Sequence, residues 1–466
     1  MNTVEKFFKI RLLDDSVYFK ITFILWALVH SLSLGQYITS YASPIIIVWG
    51  GLVVLKKLLF EGKNFPKKYY ILIFAFLFSY VITIIINIKM NFIGNTKTLI
   101  WSTILMIALF INDFDKSKEE ILSDISRVCR AVVIVTLIIS GISLLLFFFN
   151  INFWVNRVDG TRIPQGYYAA RLWGIYVDPN QSCNVAIISM ALSGVLLITK
   201  KALNKIILII NIIVQYELLV LSGSRGGEIG FIFFLACILY LFIEDKMGVK
   251  ANYKFIRRAF SIILSLILTI ALISTFKINR KYIAFIPEAI YSIESYGEEN
   301  NSSSDTNKNT INITVERPDT ETSNGRVELW TDALKLSKQI PIFGVGDRNI
   351  MLVAQEKIPG ASITHQYVHN GYLHMLLAGG IVGLIIMMIL IIEIILSILK
   401  KIFTKKKVNS EYFIYGIISA MVGSMLLTTI FLTEVFYQNS FTAAILWIFM
   451  GYIIYLNKKE VFTNTK

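Results

Sequence analysis

The sequence predicts an all-α, polytopic membrane protein. Of its 466 residues, 55% are hydrophobic and only 16% are charged, whereas soluble chains are about a quarter charged. The mean hydropathy is +0.64, and apolar runs of roughly 20 residues, enough to cross a bilayer as a helix, recur from one end to the other. The net charge of +14 needs no nucleic-acid partner, because cytoplasmic loops of such proteins collect Lys and Arg.

About twelve apolar segments are predicted to be spans. They lie near residues 18–36, 42–59, 69–88, 95–112, 130–149, 181–199, 204–222, 227–243, 258–277, 370–399, 412–434 and 438–457. Every second connection is rich in lysine, so these connections and both termini are predicted to be cytoplasmic. The N-terminus lacks a small-residue cleavage site, which predicts that the first apolar run is a retained helix.

The predicted organisation has three parts. Residues 1–277 hold the first nine spans, residues 278–369 form a large extracytoplasmic loop, and residues 370–466 hold the last three spans. Within the loop, residues 298–324 are polar and almost free of large apolar side chains, which predicts a disordered insert.

The rest of the loop is predicted to be partly folded, like a lid on the membrane. Residues 326–338 have the spacing of an amphipathic helix, and Asp347 is predicted to cap a second short helix ending near Lys357. The predicted apolar stripe of the first helix is Val327, Trp330, Leu334 and Ser337.

Arginine is concentrated on the predicted outer face. That face carries 8 Arg and 8 Lys, against 5 Arg and 23 Lys on the predicted cytoplasmic side. Either cation satisfies the charge rule, but the planar guanidinium also binds phosphate or carboxylate in a bidentate manner. The outer arginines are therefore candidates for phosphate binding, and pairing with loop acids is the alternative. They are Arg157, Arg162, Arg171, Arg225, Arg280, Arg317, Arg326 and Arg348.

Two of these arginines occupy unusual positions. Arg225 lies in a short outer turn between two spans, where a full charge is expensive and suggests function. Arg326 opens the predicted amphipathic helix, where the helix dipole disfavours a cation. An anion bound jointly by Arg326 and the free N–H groups of the first turn would explain this position. The alternatives are an arginine reaching the membrane interface and a pair with Glu328.

His369 precedes the tenth span and is the candidate base. The apolar segment after it would be about 45 Å long as a helix, so its first residues stand above the membrane or bend at Gly379–Gly380. His369 is then expected to face an outer cavity, where a neutral imidazole could accept a proton from a hydroxyl. His365 and His374 are competitors, and His30 is expected to pack within an apolar run.

The outer loop of residues 157–180 contains aromatic residues beside arginines. This combination suits stacking on sugar rings, and a membrane-interface belt explains it equally well. Neither a metal nor a cofactor is predicted, because the one metal-like string, residues 113–115, falls on the cytoplasmic side, and the three cysteines have no ligand spacing.

The chain resembles the O-antigen ligase and polymerase superfamily of bacterial membrane glycosyltransferases, the Wzy and WaaL type. The resemblance rests on four strings in order: RLWGIYVDPN, SGSRGG around Arg225, SNGRVELW followed by IPIFGVGDRN, and HNGYLHMLLAGGIVG. The first string is similar to the family's loop before a middle span, and the second to its arginine between two spans. The third is similar to its loop arginine followed by P-x-x-G-x-G. The fourth is similar to its H-N pair, which is followed after nine residues by G-x-x-G. The insert at 298–324 is longer than the family's pattern.

The resemblance implies transfer of a glycan from a polyprenyl diphosphate to an acceptor hydroxyl. Arg225 and Arg326 would hold the diphosphate with Arg171 assisting, because arginines can stabilise the leaving group without a metal. His369 would deprotonate or orient the acceptor. Further candidates for substrate contact are Tyr176, Asn180, Arg348, His365 and Asn370.

Among family activities, a capsule or O-antigen polymerase in the cytoplasmic membrane of a bacterium is favoured. The implied partners are the lipid-linked oligosaccharide and the bilayer, with a flippase and a chain-length regulator as further candidates. A ligase that moves the glycan to another lipid or a protein would use the same residues.

A transporter of lipid-linked sugars would need charges deep in the spans and two related halves. A non-catalytic assembly partner would make Arg225 and His369 replaceable.

Overall fold

The computed structural model describes residues 13, 15–61, 64–199, 203–247, 254–299, 325–404 and 409–463. It is an all-α bundle of long apolar helices with one small sheet, as expected for a polytopic membrane protein. The predicted disordered insert, apart from its first two residues, lies outside the described residues.

Twelve helices form the bundle. They are α1 (Ser16–His30), α2 (Gly35–Lys56), α3 (Lys67–Ile86), α4 (Phe92–Thr103), α5 (Lys118–Phe148), α6 (Pro179–Ile198), α7 (Lys205–Ser222), α8 (Arg225–Lys246), α9 (Lys254–Glu299), α12 (Gly371–Thr404), α13 (Ser410–Thr428) and α14 (Phe441–Thr463). Two short helices, α10 (Arg326–Ser337) and α11 (Ile350–Lys357), precede α12. Each predicted span therefore corresponds to a helix.

Within the described residues, eleven of these helices are long and apolar enough to cross a membrane; α4 is one of them because it continues as a π-helix, so that its apolar segment is Phe92–Leu109. The exception is α1, whose 15 residues extend only about 22 Å, less than the roughly 30 Å of a hydrocarbon core. Phe19, Phe23 and Leu28 are completely buried. The first predicted span is thus an internal packing helix for most of its length.

A three-stranded antiparallel sheet follows α5, in a segment predicted only as a loop. Its strands are β1 (Phe153–Asn156), β2 (Arg162–Tyr168) and β3 (Arg171–Gly174), in the order β1-β2-β3. The Ser33 N–H donates to the carbonyl of Ile175 at 3.0 Å, which ties the α1–α2 turn to the residues after β3. We call this end of the bundle the sheet end.

The buried face of α10 differs from the predicted stripe. Val327 and Leu334 are 61% and 49% exposed, whereas Leu329 and Leu336 are buried. Asp332 faces inward with them, and its carboxylate accepts a 3.0 Å bond from the Ser362 N–H. The prediction was wrong because it followed hydrophobicity alone, while a polar side chain with a fixed partner occupies the packed face.

Helix α12 is broken, as the predicted bend at Gly379–Gly380 requires. Gly380 has φ 68° and ψ −174°, a conformation open only to glycine. The loop before α11 satisfies the freed backbone groups: the Val345 and Gly346 N–H groups donate to Leu377 and Ala378 at 3.0 and 2.9 Å, and the Val382 N–H donates back to Ile342 at 3.3 Å.

The glycine spacing of the P-x-x-G-x-G string follows from this docking. A Cβ on Gly344 would lie 2.4 Å from the Gly380 backbone nitrogen, and one on Gly380 would lie 2.0 Å from the Ile342 carbonyl oxygen. Two backbones approach so closely here that neither position has space for a side chain.

Candidate active site

A polar cavity of about 580 Å³ opens at the sheet end of the bundle, within the range of small-ligand sites. It lies among the end of α1, the β1–β2 turn, the start of α6, the segment before α12 and the α13–α14 connection. The polar side chains used below are Asp178, Gln181, Arg348, His369, Glu434 and Gln438. We call it the main cavity.

His369 lies on the wall of the main cavity, as predicted. Its backbone is left-handed, with φ 50°, which is uncommon for a residue with a side chain. Burial lowers the pKa of His369, the charge of Asp178 opposes this, and the charge of Arg326 lowers it further. The imidazole is therefore held in the neutral form that can accept a proton.

Glu434 belongs to the α13–α14 connection and faces the same cavity. Burial raises the pKa of Glu434 to about 7, and the negative charge of Asp178 adds to the shift. Its Oε2 accepts hydrogen bonds from Thr442 at 3.1 Å and from Asn184 at 3.5 Å. The site thus holds a carboxyl group that titrates near neutral pH, close to the candidate base.

Asp178 and Asn180 connect the loop after β3 to the turn before α8. Asp178 caps α6 by accepting from the Asn180 N–H at 2.8 Å, as expected for a residue before Pro at the first helical position. The Asn180 amide oxygen accepts from Arg171 and from Ser224, each at 2.8 Å. Arg171 also donates to the Ser222 carbonyl at 2.9 Å.

The predicted diphosphate contact of Arg171 remains a prediction, but its guanidinium already holds the turn that presents Arg225. Asn180 takes part in the same network. The structure gives both residues a supporting position behind the α7–α8 turn.

Phe431 lies between the segments that carry Arg225 and Arg326. The Arg326 guanidinium lies 5.7 Å from the centre of the Phe431 ring. Gly226, the neighbour of Arg225, packs against the same side chain, since a Cβ there would lie 2.9 Å from the Phe431 Cβ. The start of α8 and the start of α10, separated by a hundred positions in the sequence, therefore both approach Phe431.

Three predicted substrate contacts have other surroundings. Asn370 is buried, and its side-chain oxygen accepts from the N–H groups of Tyr372 and Leu373 at 3.0 Å, so it caps α12. Tyr176 is completely buried with its hydroxyl 3.2 Å from Ser140. His365 is exposed away from the cavity wall. Asn370 caps α12 and Tyr176 packs in the interior, and their assignment to substrate binding remains a prediction.

Arg348 lines the main cavity, and Asp347 beside it is buried. Asp347 does not cap α11 as predicted. Its carboxylate accepts instead from His374 Nε2 at 2.8 Å and forms an ion pair with Arg348 Nε at 3.1 Å. The structure thereby places His374, a competitor for the base, in the protein interior.

From the sequence, Glu434 was predicted only as a candidate for orienting the base, and Gln181 and Gln438 were not predicted as site residues. The available signal was a carboxylate in the short connection between two apolar helices, where a charge must be satisfied or serve a function. Among the described residues, no group of three or more His, Cys, Asp or Glu is arranged to hold a metal ion.

The fold and the site define a multi-pass membrane protein with a polar site beyond the ends of its helices. The family model described as Wzy_C, O-antigen ligase, matches residues 209–388, which include Arg225, Arg326, Arg348 and His369. The match supports the O-antigen polymerase/ligase superfamily over these residues. This family is glycosyltransferase-like, which supports an enzyme in general.

One relative was found in Haemophilus influenzae (strain ATCC 51907 / DSM 11121 / KW20 / Rd). It is described as an uncharacterized protein and is 26% identical over 393 residues. The similarity covers 81% of this chain and 84% of the relative. It therefore extends beyond the segment matched by the family.

Proposed function

We propose that the protein is a bacterial polysaccharide polymerase that works on the outer face of the cytoplasmic membrane. Its donor is a glycan on a polyprenyl diphosphate, and its acceptor is a hydroxyl of a lipid-linked repeat unit. The observation that carries the proposal is the position of His369, held neutral on the wall of a polar cavity with Arg326 beside it.

The reaction is a substitution at the anomeric carbon of the donor. The acceptor oxygen forms the new bond to this carbon, and its proton passes to the neutral His369. The bond between the carbon and the diphosphate oxygen breaks, and the electron pair leaves with the polyprenyl diphosphate. Arg225 and Arg326 stabilise the charge that develops on the leaving group, and the reaction needs no metal.

Glu434 and Asp178 supply the second half of the site. The Asp178 carboxylate can accept charge-assisted hydrogen bonds from sugar hydroxyls. The Glu434 carboxyl, whose pKa is raised to about 7, can donate to a sugar oxygen when protonated and accept from a sugar hydroxyl when ionised. We assign these two side chains to the acceptor sugar, opposite the arginines that hold the diphosphate. This division explains why the cavity contains acids although the donor is an anion.

A ligase is the second candidate, because the matching family is described by that activity. It would use the same donor site and differ only in the acceptor. Flippase and chain-length proteins are proposed partners of either enzyme.

The test uses the purified protein in detergent with a lipid-diphosphate oligosaccharide and a metal chelator. We expect a ladder of repeats from the wild type, and a loss of at least a hundredfold in rate for His369→Ala and Arg326→Ala. Lys338→Ala, which removes an exposed cation just after α10, is the matched control and should keep wild-type activity.

Transfer to an added lipid or protein without a ladder would identify the ligase. No transfer, with passage of lipid-linked sugar across a vesicle bilayer, would contradict the enzyme and support a transporter. Full activity in Arg326→Ala at normal expression would remove that residue from the site.

A further inference from the structure

The carboxylate of Asp347 lies at a junction of four segments. It is 6% exposed. Oδ1 accepts from His374 at 2.8 Å and from Gln438 at 3.1 Å, Oδ2 accepts from Thr98 at 3.1 Å, and Arg348 Nε forms an ion pair with Oδ2 at 3.1 Å. An ionised carboxylate offers about four acceptor positions, and here three hydrogen bonds and one ion pair surround it.

The group is held in the ionised form. Burial favours protonation, but the hydrogen bond and the charge of His374 hold the pKa of Asp347 below its usual value. The backbone is fixed as well, since the Asp347 N–H donates to the Tyr80 hydroxyl at 3.0 Å and the Arg348 N–H donates to Asn95 at 3.0 Å.

Two of the four side chains that contact the Asp347 carboxylate, Arg348 and Gln438, line the main cavity. The other two, His374 and Thr98, lie on α12 and α4. Asp347 therefore joins two rigid helices to two cavity side chains that lie on short irregular segments. A purely structural pair between helices would not need donors from the cavity wall.

The Arg348 guanidinium contacts Asp347 through its Nε edge, where the two groups form an ion pair. Among the described residues, no hydrogen bond or ion pair involves its terminal nitrogens. These nitrogens form the fork that binds phosphate or carboxylate. The side chain is 45% exposed, next to His369 on the cavity lining.

We propose that Asp347 is a positioning residue: with His374 and Thr98 as anchors, its carboxylate fixes Arg348 and Gln438 at the wall of the main cavity, and Arg348 binds an oxyanion of the substrate. The proposal rests on the proposed function and adds a third arginine to it. The oxyanion is the donor diphosphate or a carboxylate on a sugar.

The experiment measures kcat and KM for the lipid-diphosphate oligosaccharide with Arg348→Ala, Arg348→Lys, Asp347→Asn and the Asp347→Asn/Arg348→Ala pair. We expect Arg348→Ala to raise KM at least tenfold, the effect of losing one charge-assisted contact, with kcat within threefold of wild type. Arg348→Lys should remain at least fivefold worse, because an ammonium cannot bind Asp347 and a bidentate anion together.

Asp347→Asn should raise KM in the same direction, and the double variant should be no more than twofold worse than Arg348→Ala alone. Effects that multiply would overturn the positioning role. Because Asp347→Asn could fail to fold, the two Arg348 variants decide independently: an unchanged KM in both overturns the proposal. Lys338→Ala is again the control.

Inhibition by inorganic pyrophosphate separates the two sources of the anion. A weaker inhibition of Arg348→Ala than of the wild type assigns Arg348 to the diphosphate, and equal inhibition with a raised KM assigns it to a sugar carboxylate. Both results support an oxyanion contact. A wild-type protein that transfers nothing would contradict the proposed function itself, whereas active variants with unchanged KM contradict only this inference.

Discussion

His369 and Glu434 are both driven towards their uncharged forms in the same cavity. Burial lowers the pKa of the imidazole and raises that of the carboxyl. At neutral pH the site therefore offers an unprotonated base together with a carboxyl that exchanges its proton readily. If the hydroxyl of the acceptor sugar lay between them, His369 could accept its proton and Glu434 could form a hydrogen bond with a neighbouring hydroxyl.

Glu434 should make the folded protein less stable as the pH rises. Its folded pKa of about 7 lies above the ordinary 4.5, so the native state binds the extra proton and loses stability between about pH 4.5 and pH 7. The loss reaches up to about 3 kcal/mol above pH 7, at 1.36 kcal/mol per pKa unit.

Thermal unfolding of the detergent-solubilised protein measures this. Glu434→Gln, which imitates the protonated carboxyl, should gain stability relative to wild type at pH 8 and show little difference at pH 4.5. An equal difference at both pH values would mean that Glu434 does not titrate in this range.

At the residue scale, candidate site residues could be predicted from the sequence only where they belong to a motif. His369 and Arg326 were predicted from position, since one precedes a long span and the other opens a helix against the dipole, and their roles remain predictions. Asn370 caps a helix and Tyr176 packs inside, and neither use could be foreseen, because a polar or aromatic residue beside a motif has the same sequence whether it caps a helix, packs inside, or binds substrate. Only the three-dimensional partners distinguish these uses.

The break in α12 is the element that places the site. It lets the segment 342–346 pair with residues 377–382, which brings Asp347 and Arg348 to the cavity. Gly380 is the residue on which this pairing depends, because its φ of 68° and ψ of −174° suit glycine alone.

Gly380→Ala should therefore prevent correct folding. A Cβ would lie 2.0 Å from the Ile342 carbonyl oxygen, and the strained backbone costs roughly 1–3 kcal/mol in addition. We expect a loss of the monodisperse peak in size-exclusion chromatography in detergent. Gly141→Ala is the matched control, because no atom lies within 4 Å of a Cβ there, and alanine favours the interior of α5. A normal profile for both variants would contradict the docking.

At this scale the helices were predictable and their faces were not. The bend at Gly379–Gly380 followed from a segment too long for the membrane. The sheet after α5 escaped prediction, because strands of four residues, such as β1 and β3, give too short an alternation to recognise. The stripe on α10 failed because Asp332 replaced an apolar side chain on the packed face.

For the whole molecule, the apolar runs determined the architecture almost completely. Each predicted span corresponds to a helix, since burial in lipid demands a continuous apolar segment. Helix α1 is the exception, because a helix that is surrounded by other helices must be apolar but need not be long enough to cross the membrane. The sidedness of the bundle follows from the lysine-rich connections and remains a prediction.

Cysteine labelling tests that sidedness. In a background without Cys129, Cys183 and Cys237, we expect Val158→Cys in the β1–β2 turn to react with a membrane-impermeant maleimide on intact cells. Glu119→Cys, at the start of α5, should react only after permeabilisation. Both positions are exposed in the structure, so accessibility alone does not separate them. The opposite pattern would invert the topology and place His369 on the cytoplasmic side.

The pairing across the break in α12 also constrains how the protein is made. A helix with an interrupted hydrogen-bond ladder cannot rest in lipid with bare amide and carbonyl groups. Its partners, residues 342–346, are synthesised some thirty-five residues earlier and have already left the ribosome when Gly380 emerges. Stable insertion of α12 is therefore coupled to docking of residues 342–346, and a protein in which this loop could not dock would leave the backbone groups at the break without these partners.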